Sequence, residues 1–305
     1  MSYYYDLFGL VLKSEIEFQE YQLCLRNINT YDIEIVCGKI IFPGEKFGNH
    51  RRIFVKDSIY LYVKDIATYR MFKGKTIYLD PDPKASLGQI KAFLTGTCMG
   101  AILYQRGSLV IHGGVAEINN YGVIVMGDCG SGKSTLISAL RNKGHGFISD
   151  DMAVFSNEGI KILPGYPGQR ICAENLTLDE AKSLGYTAVE VAGKRKYIMP
   201  VNESFRTYSV SAGIIVELVV GENTEKLQWE KLKGEERLRV IIENIYGIRS
   251  IRFSASKMDC FKRAAEVAKE VPVYRIIRPS QSFTVDEEVS TVEYIVNLLN
   301  ERPAI

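Results

Sequence analysis

One stretch limits the fold of this chain more than any other: Gly122 to Phe155, reading GVIVMGDCGSGKSTLISALRNKGHGFISDDMAVF. It contains a complete G-x-x-x-x-G-K-[ST] pattern, Gly127 to Ser134, behind the apolar run Val123-Ile124-Val125-Met126. A helix-compatible segment, Thr135 to Lys143, follows. Strand, glycine loop and helix in that order are the context in which the pattern binds phosphate. Glycines let successive N–H groups converge on phosphate oxygens, and the helix N-terminus adds partial positive charge. The spacing therefore predicts a nucleotide-phosphate site at Gly127, Asp128, Cys129, Gly130, Ser131, Gly132, Lys133, Ser134 and Thr135. Lys133 is expected to reach the outer phosphates, and the Ser134 hydroxyl to ligate Mg²⁺.

Lys143-Gly144-His145-Gly146 ends the helix, and the chain returns into GFISDDMAVF. Asp150 and Asp151 follow Lys133 by 17 and 18 positions, so the acidic pair belongs to the next strand. Adjacent residues of a regular strand face opposite sides. Both carboxylates can serve the phosphates only where the strand bends or nears its end. One carboxylate for Mg²⁺ and one to accept a proton is the division of labour that phosphoryl transfer needs. Upstream, Leu109 to Ile118 reads as a strand and Asn119-Asn120-Tyr121-Gly122 as the turn into the next. A four-residue hairpin would pair Ile118 with Val123 and set His112 opposite Cys129, bringing a histidine beside the loop.

The remaining chain is read more coarsely. At 305 residues it has room for one large domain or two ordinary ones. Residues 1–84 look β-rich, with strands at Ile33 to Ile41, Ile53 to Val63 and Thr76 to Leu79 and many tyrosines, which packing on a small sheet explains better than a binding face. Asp80-Pro81-Asp82-Pro83 interrupts strand and helix alike and marks the boundary to a domain over 85–305. Ser86 to Tyr104 reads as a helix capped by Ser86. Pro164 to Arg170 reads as a loop, from which Arg170 contacts phosphate or acceptor or is simply solvated. Lys194-Arg195-Lys196 reads as a solvated turn, with Lys196 the residue that would draw an anionic acceptor. Ser209 to Val220 and Val273 to Ile277 read as strands; Glu235 to Tyr246, Lys257 to Lys269 and Asp286 to Asn300 read as helices. Ser256-Lys257-Met258-Asp259 is a capping box before it is a guanine-reading motif, because no D-x-x-G lies between it and the loop.

A net charge of +2 gives no reason to expect nucleic acid or an anionic membrane as partner. The longest apolar runs, such as Gly213 to Val220, are too short to span a bilayer. MSYYYDLFGL has no signal-peptide pattern, and six scattered cysteines read as reduced thiols. A cytoplasmic protein is expected.

The loop, His112-Gly113, Gly144 and Asp150-Asp151 together resemble the kinase domain of the HPr kinase/phosphorylase family, related to phosphoenolpyruvate carboxykinase in its nucleotide site. The resemblance covers residues 90–160 well and the rest of that domain loosely. It implies an α/β fold, a P-loop kinase domain with a mixed sheet preceded by a smaller β-rich N-terminal domain, with ATP and Mg²⁺ as cofactors. It also implies Asp151 as general base, Asp150 as a carboxylate of the metal shell, and His112 as partner of the pair. The chain reads GKST where HPr kinases typically read GKSE, and their later L-E-I-R-G-x-G-I signature is absent. The opening YDLFGLVLKSEI, the GKST loop, the FISDD strand and the P-G-Y-P-G-x-R loop look more like HPr-kinase-like proteins of peptide-modification clusters. Among these are lasso-peptide kinases that phosphorylate the C-terminal serine of a precursor peptide. The resemblance thus implies an ATP-dependent serine kinase whose partner is a peptide or small protein, and it is compatible with a homo-oligomer. Two alternatives stay open: an HPr serine kinase/phosphorylase of carbon regulation, and a non-catalytic module that binds peptide when nucleotide is bound.

Overall fold

The computed structural model describes residues 2–24, 30–172, 176–191, 194–222, 224–247 and 257–300. The described residues fall into two compact units. One lies within Met1–Ser108, Gly168–Pro200 and Arg249–Met258; the other lies within Leu109–Pro167, Val201–Ile248 and Asp259–Ile305. The fold is mixed α/β.

The first unit is built on seven strands, β1 (Tyr3–Leu7), β2 (Leu10–Ser14), β3 (Ile33–Cys37), β4 (His50–Val55), β5 (Ser58–Val63), β6 (Ala67–Phe72) and β7 (Thr76–Pro81), in the order β1-β2-β3-β7-β6-β5-β4. Alternation decides its faces: Leu61, Tyr69, Met71, Ile77 and Leu79 share one side and are buried. Helices α1 (Leu87–Phe93) and α2 (Met99–Gln105) meet that side, where the Tyr69 hydroxyl donates to the Ile90 carbonyl at 3.2 Å and Gln105 Nε2 to the Met71 carbonyl at 3.3 Å. Ser86 caps α1 as expected, in a capping box with Gln89, but a π-helical turn at Leu94–Cys98 separates α1 from α2. Two further expectations need correction. Ile53 to Val63 is not one strand, because Lys56 takes a positive φ of 47° and turns β4 into β5. Asp80-Pro81 does not stop β7, since the pairing with β3 ends at Leu79 and no N–H is demanded of Pro81 on that side. A three-stranded sheet, β13 (Gly168–Ile171), β14 (Thr187–Val191) and β15 (Lys194–Pro200), completes this unit with α4 (Leu178–Ser183). Arg170 is therefore a strand residue rather than a loop residue, and Lys194-Arg195-Lys196 begins a strand instead of forming a turn.

In the second unit β8 (Val110–Ile118) and β9 (Tyr121–Met126) form a hairpin. Beyond them come α3 (Lys133–Asn142), β10 (Gly146–Ser149), β11 (Met152–Phe155), β12 (Lys161–Leu163), β16 (Val210–Gly221), β17 (Gln228–Lys231), α5 (Gly234–Glu243), α6 (Lys257–Glu270), β18 (Val273–Pro279) and α7 (Val285–Asn300). Strand pairings run in a closed circuit, β8–β9–β16–β12–β11–β8, with β18 and β17 continuing outward from β16. The expected capping box at Ser256 lies outside the described residues.

The hairpin register differs from the expected one. Ile118 pairs with Tyr121, not Val123, because Asn119 (φ 52°) and Asn120 (φ 66°) make a two-residue turn with both residues left-handed. That is the conformation whose twist suits adjoining strands, and asparagine tolerates it best after glycine. Gly113 is thus opposite Met126, and continuing the count puts His112 across from Gly127, not Cys129. The shift is two residues, an even number, so every side chain keeps its face.

Candidate active site

The four apolar residues before the loop, Val123 to Met126, are wholly buried in β9 and deliver the chain to Gly127 at a fixed point. Gly127 has φ +143°, and a Cβ there would lie 2.3 Å from the Leu218 carbonyl oxygen. No side chain fits. The loop then closes on itself through Ser131 N–H to the Asp128 carbonyl (3.2 Å), and Leu136 N–H to the Gly132 carbonyl (2.9 Å) begins α3. Two cations collect the loop carbonyls. Lys133 Nζ donates to Gly127 O at 2.7 Å and Asp128 O at 2.9 Å, while Arg278 Nε donates to Ser131 O at 2.7 Å and its Nη2 to Gly130 O at 3.4 Å. In a trans peptide C=O and N–H point opposite ways. Drawing those carbonyls to cations turns the N–H groups of Asp128, Cys129 and Gly132 to the other side. Asp128, Cys129, Gly130, Ser134 and Thr135 are exposed.

The acidic pair sits where the next strand is distorted. β10 and β11 both pair antiparallel with β8, and the register slips by one residue between Phe147 and Ser149. Such a bulge re-aims side chains. Asp150 and Asp151 fall between the two strands, opposite Gly114 and Gly113; the Gly113 N–H donates to Asp151 O at 3.2 Å. Gly114 leaves the room: a Cβ there would meet the Ile137 side chain of α3 at 2.7 Å and the Asp150 carbonyl at 3.0 Å. Since Gly113 also faces Met126, the acidic pair is two strands from the residue that opens the loop, roughly 10 Å between backbones. His112 pairs with Met152 in β11, and its Nδ1 is 3.5 Å from Asp151 Oδ1. Both side chains are partly exposed. Asp150 Oδ1 is buried.

One strand register thus brings together the loop, His112, Asp150 and Asp151. Arg170 and Lys196 belong to the other unit, where Arg170 Nη2 donates to Thr95 Oγ1 at 3.0 Å and Lys196 is half-exposed on β15. Sequence reasoning missed two neighbours of the site. Tyr246 lies with its ring centroid 5.8 Å from that of His112. It gets there because α5 ends at Glu243, short of the expected Tyr246, and the next residues bond to β8 through His112 N–H to Asn244 O (2.7 Å) and Tyr246 N–H to Val110 O (2.8 Å). Arg278 follows the end of the expected strand Val273 to Ile277, which runs two residues further. Nothing in its local sequence ties it to a loop 147 positions away.

A phosphate suits this loop because the Ser131 hydroxyl is buried with no hydrogen-bond partner among the described residues, on a loop whose carbonyls are drawn to Lys133 and Arg278. For Mg²⁺ the donors present are the exposed Ser134 hydroxyl and Asp150. Among the described residues no group of three or more His, Cys, Asp or Glu stands close enough to cage a metal alone. That set fits Mg²⁺, which is usually held by one or two protein oxygens together with phosphates and water.

Residues 106–191 match the HPr Serine kinase C-terminal domain. Over this stretch the chain is similar to HPr kinases. It is 27% identical over 141 residues to an HPr kinase/phosphorylase of Stenotrophomonas maltophilia (strain K279a), covering 44% of this chain and 39% of that one. It is 31% identical over 119 residues to one from Mycoplasmopsis pulmonis (38% and 35% covered), and 36% identical over 141 residues to one from Xanthomonas campestris pv. campestris (44% and 39%). It spans about two fifths of the length of the first of these curated relatives. The HPr(Ser) kinase/phosphatase of Coxiella burnetii superposes with a TM-score of 0.31 at 13% identity, over 63% of this chain and 95% of that one, a likeness too loose to rest anything on. No helix among the described residues is long and apolar enough to cross a membrane.

Proposed function

We propose that the protein is an ATP-dependent kinase that transfers the γ-phosphoryl group to a serine hydroxyl of a peptide or small protein, the C-terminal serine of a ribosomally made precursor peptide being the favoured acceptor. The observation that carries this reading is the register of β10/β11, β8 and β9, which sets Asp151 two strands and His112 one strand from the glycine loop, with the two side chains 3.5 Å apart. An alcohol is a poor nucleophile, so the reaction needs a base within reach of the hydroxyl and charge neutralisation around the phosphates. Asp151 accepts the serine proton; His112 beside it orients the carboxylate. Lys133 leaves the carbonyls of Gly127 and Asp128 for the outer phosphates, and the loop N–H groups bind oxygens that gain charge. Ser134 and Asp150 would hold Mg²⁺, which would supply neutralisation of the charge that develops on the phosphates. Reduced cysteines, none of them in a disulfide, accord with a cytoplasmic reaction.

The test is mass spectrometry of peptides ending in serine, and of HPr, after incubation with ATP and Mg²⁺. A phosphopeptide is expected from the serine peptides, and Asp151→Asn should slow its formation by about 10²–10⁴-fold while nucleotide affinity stays near wild type. Phosphorylation of HPr alone would make the chain an HPr kinase. Nucleotide-dependent peptide binding with no phosphopeptide would make it a binding module. Normal turnover by Asp151→Asn would remove Asp151 from the role of base.

A further inference from the structure

Arg278, near the end of β18, sends most of its donors to the glycine loop rather than to side chains around its own strand. Its Nη1 is anchored to Pro279 O (3.3 Å), Nε reaches Ser131 O (2.7 Å) and Nη2 reaches Gly130 O (3.4 Å). Gly132 is seated against the guanidinium, where a Cβ would come within 3.3 Å of Nε. Gly132 itself has φ +109°, so a residue with a side chain would be strained there as well as crowded. A guanidinium is planar, keeps its charge at any working pH and offers several donors in a fixed fork. Its fork therefore holds the Ser131 and Gly130 carbonyls from two nitrogens at a fixed spacing. The other arginine of β18 shows what a purely structural role looks like: Arg275 bonds to Glu217 (2.7 Å), Glu236 (2.9 Å) and Glu230 (3.4 Å), all carboxylates of its own neighbourhood. Arg278 spends its donors on main-chain carbonyls of a glycine loop instead. Burial pushes up the Glu288 carboxyl in the first turns of α7, and the hydrogen bond from Thr284 and the charge of Arg278 work against that rise.

We propose that Arg278 is a positioning residue of the phosphate loop. By holding the Ser131 carbonyl it keeps the Ser131–Gly132 peptide turned so that the Gly132 N–H faces a bound phosphate, and it does this from beneath the loop without touching the nucleotide. The inference rests on the nucleotide reading of the loop given above. Its consequence is that ATP affinity depends on a residue at the end of β18.

The experiment is titration of the full chain with a fluorescent ATP analogue, with thermal denaturation and acceptor-free ATP hydrolysis run alongside, for wild type, Arg278→Ala, Arg278→Lys and Arg275→Ala. Arg278→Ala should bind the analogue roughly tenfold or more weakly, the size expected on losing a hydrogen bond to a charged group, and raise KM for ATP more than it lowers kcat. Arg278→Lys should recover part of that affinity, and Arg275→Ala should lose thermal stability while keeping affinity. Affinity within about twofold of wild type in Arg278→Ala, or an equal loss in Arg275→Ala, overturns the proposal. If Arg278→Ala does not fold, Arg278→Lys and Arg278→Gln decide it: undiminished affinity in both overturns it, and weaker binding in Arg278→Gln than in Arg278→Lys supports it. Wild type that binds no nucleotide overturns the loop reading and this inference with it. Wild type that binds, with Arg278→Ala equal to it, overturns this inference alone.

Discussion

Gly127 does the most with the least. It combines a left-handed φ with contact against Leu218 O that leaves no space for one methyl group. Both constraints come from the chain having to leave a buried strand, clear its neighbour β16 and turn back toward α3 within a few residues. Asp151 owes its value to the opposite circumstance. Its carboxylate is neither sealed in the core nor free in solvent, and a histidine nitrogen stands 3.5 Å away. Gly127→Ala should therefore abolish nucleotide binding and cost about 1–3 kcal/mol of stability through backbone strain. At a hundredfold excess of ATP over Kd the wild type should gain about 2.7 kcal/mol by mass action. Gly127→Ala should gain nothing, which thermal denaturation with and without ATP·Mg²⁺ reads directly. A ligand-induced shift equal to wild type would show that the loop does not hold the phosphates.

At the scale of elements, the hairpin β8–β9 decides whether loop and acids meet. Its turn residues Asn119 and Asn120 both sit at positive φ, and the two-residue turn sets Gly113 against Met126. Asn120→Val puts a β-branched residue where left-handed backbone costs roughly 1–2 kcal/mol. For a domain of this size that lowers Tm by about 2–4 °C per kcal/mol. Asn120→Gly should be neutral or mildly stabilising, because glycine is preferred there. Circular dichroism melts of both variants check this, and equal melting points would show that the turn does not govern the hairpin. The elements themselves were largely legible. Leu109 to Ile118, Ser209 to Val220, Lys257 to Lys269 and Asp286 to Asn300 all lie within a few residues of observed elements, because long apolar periodicity survives tertiary context. What was not legible was turn chemistry. The Lys56 turn that splits Ile53 to Val63, the tightness of Asn119-Asn120 and the continuation of β7 through Pro81 each depend on one backbone angle or on which side of a strand is paired.

For the molecule as a whole, the unit that carries the loop is closed by α7. Glu293 accepts from Lys143 Nζ at 3.3 Å and pairs with His145 Nε2 at 2.8 Å, tying α7 to the end of α3, and Asn297 Oδ1 accepts from Asn119 Nδ2 at 3.0 Å at the hairpin turn. Burial alone would raise the Glu293 carboxyl, but the hydrogen bonds and charges of His145 and Lys143 outweigh it and hold the group below its usual range. A carboxyl depressed in the folded state adds stability that is fully present above its unfolded value, about 4.3, and is lost as pH falls through the folded value. Wild type should accordingly be more stable than Glu293→Gln near neutrality, with the gap closing below about pH 4. Melting points of the two proteins from about pH 7 to about pH 3 test this; a gap that does not change with pH would assign the tie to packing rather than charge. By itself the chain determined the strand, glycine loop and helix around Gly127 to Ser134, and an acidic pair soon after them, which the structure sets in the break between β10 and β11. Those are short-range facts, written in glycine spacing and apolar periodicity. Only the tertiary structure decided that Arg278 bonds to the carbonyls of the loop, that Tyr246 stands beside His112, and that Arg170 and Lys196 belong to the other unit. Each of these depends on strands far apart in the chain becoming neighbours, and no local pattern encodes which strand will lie beside which.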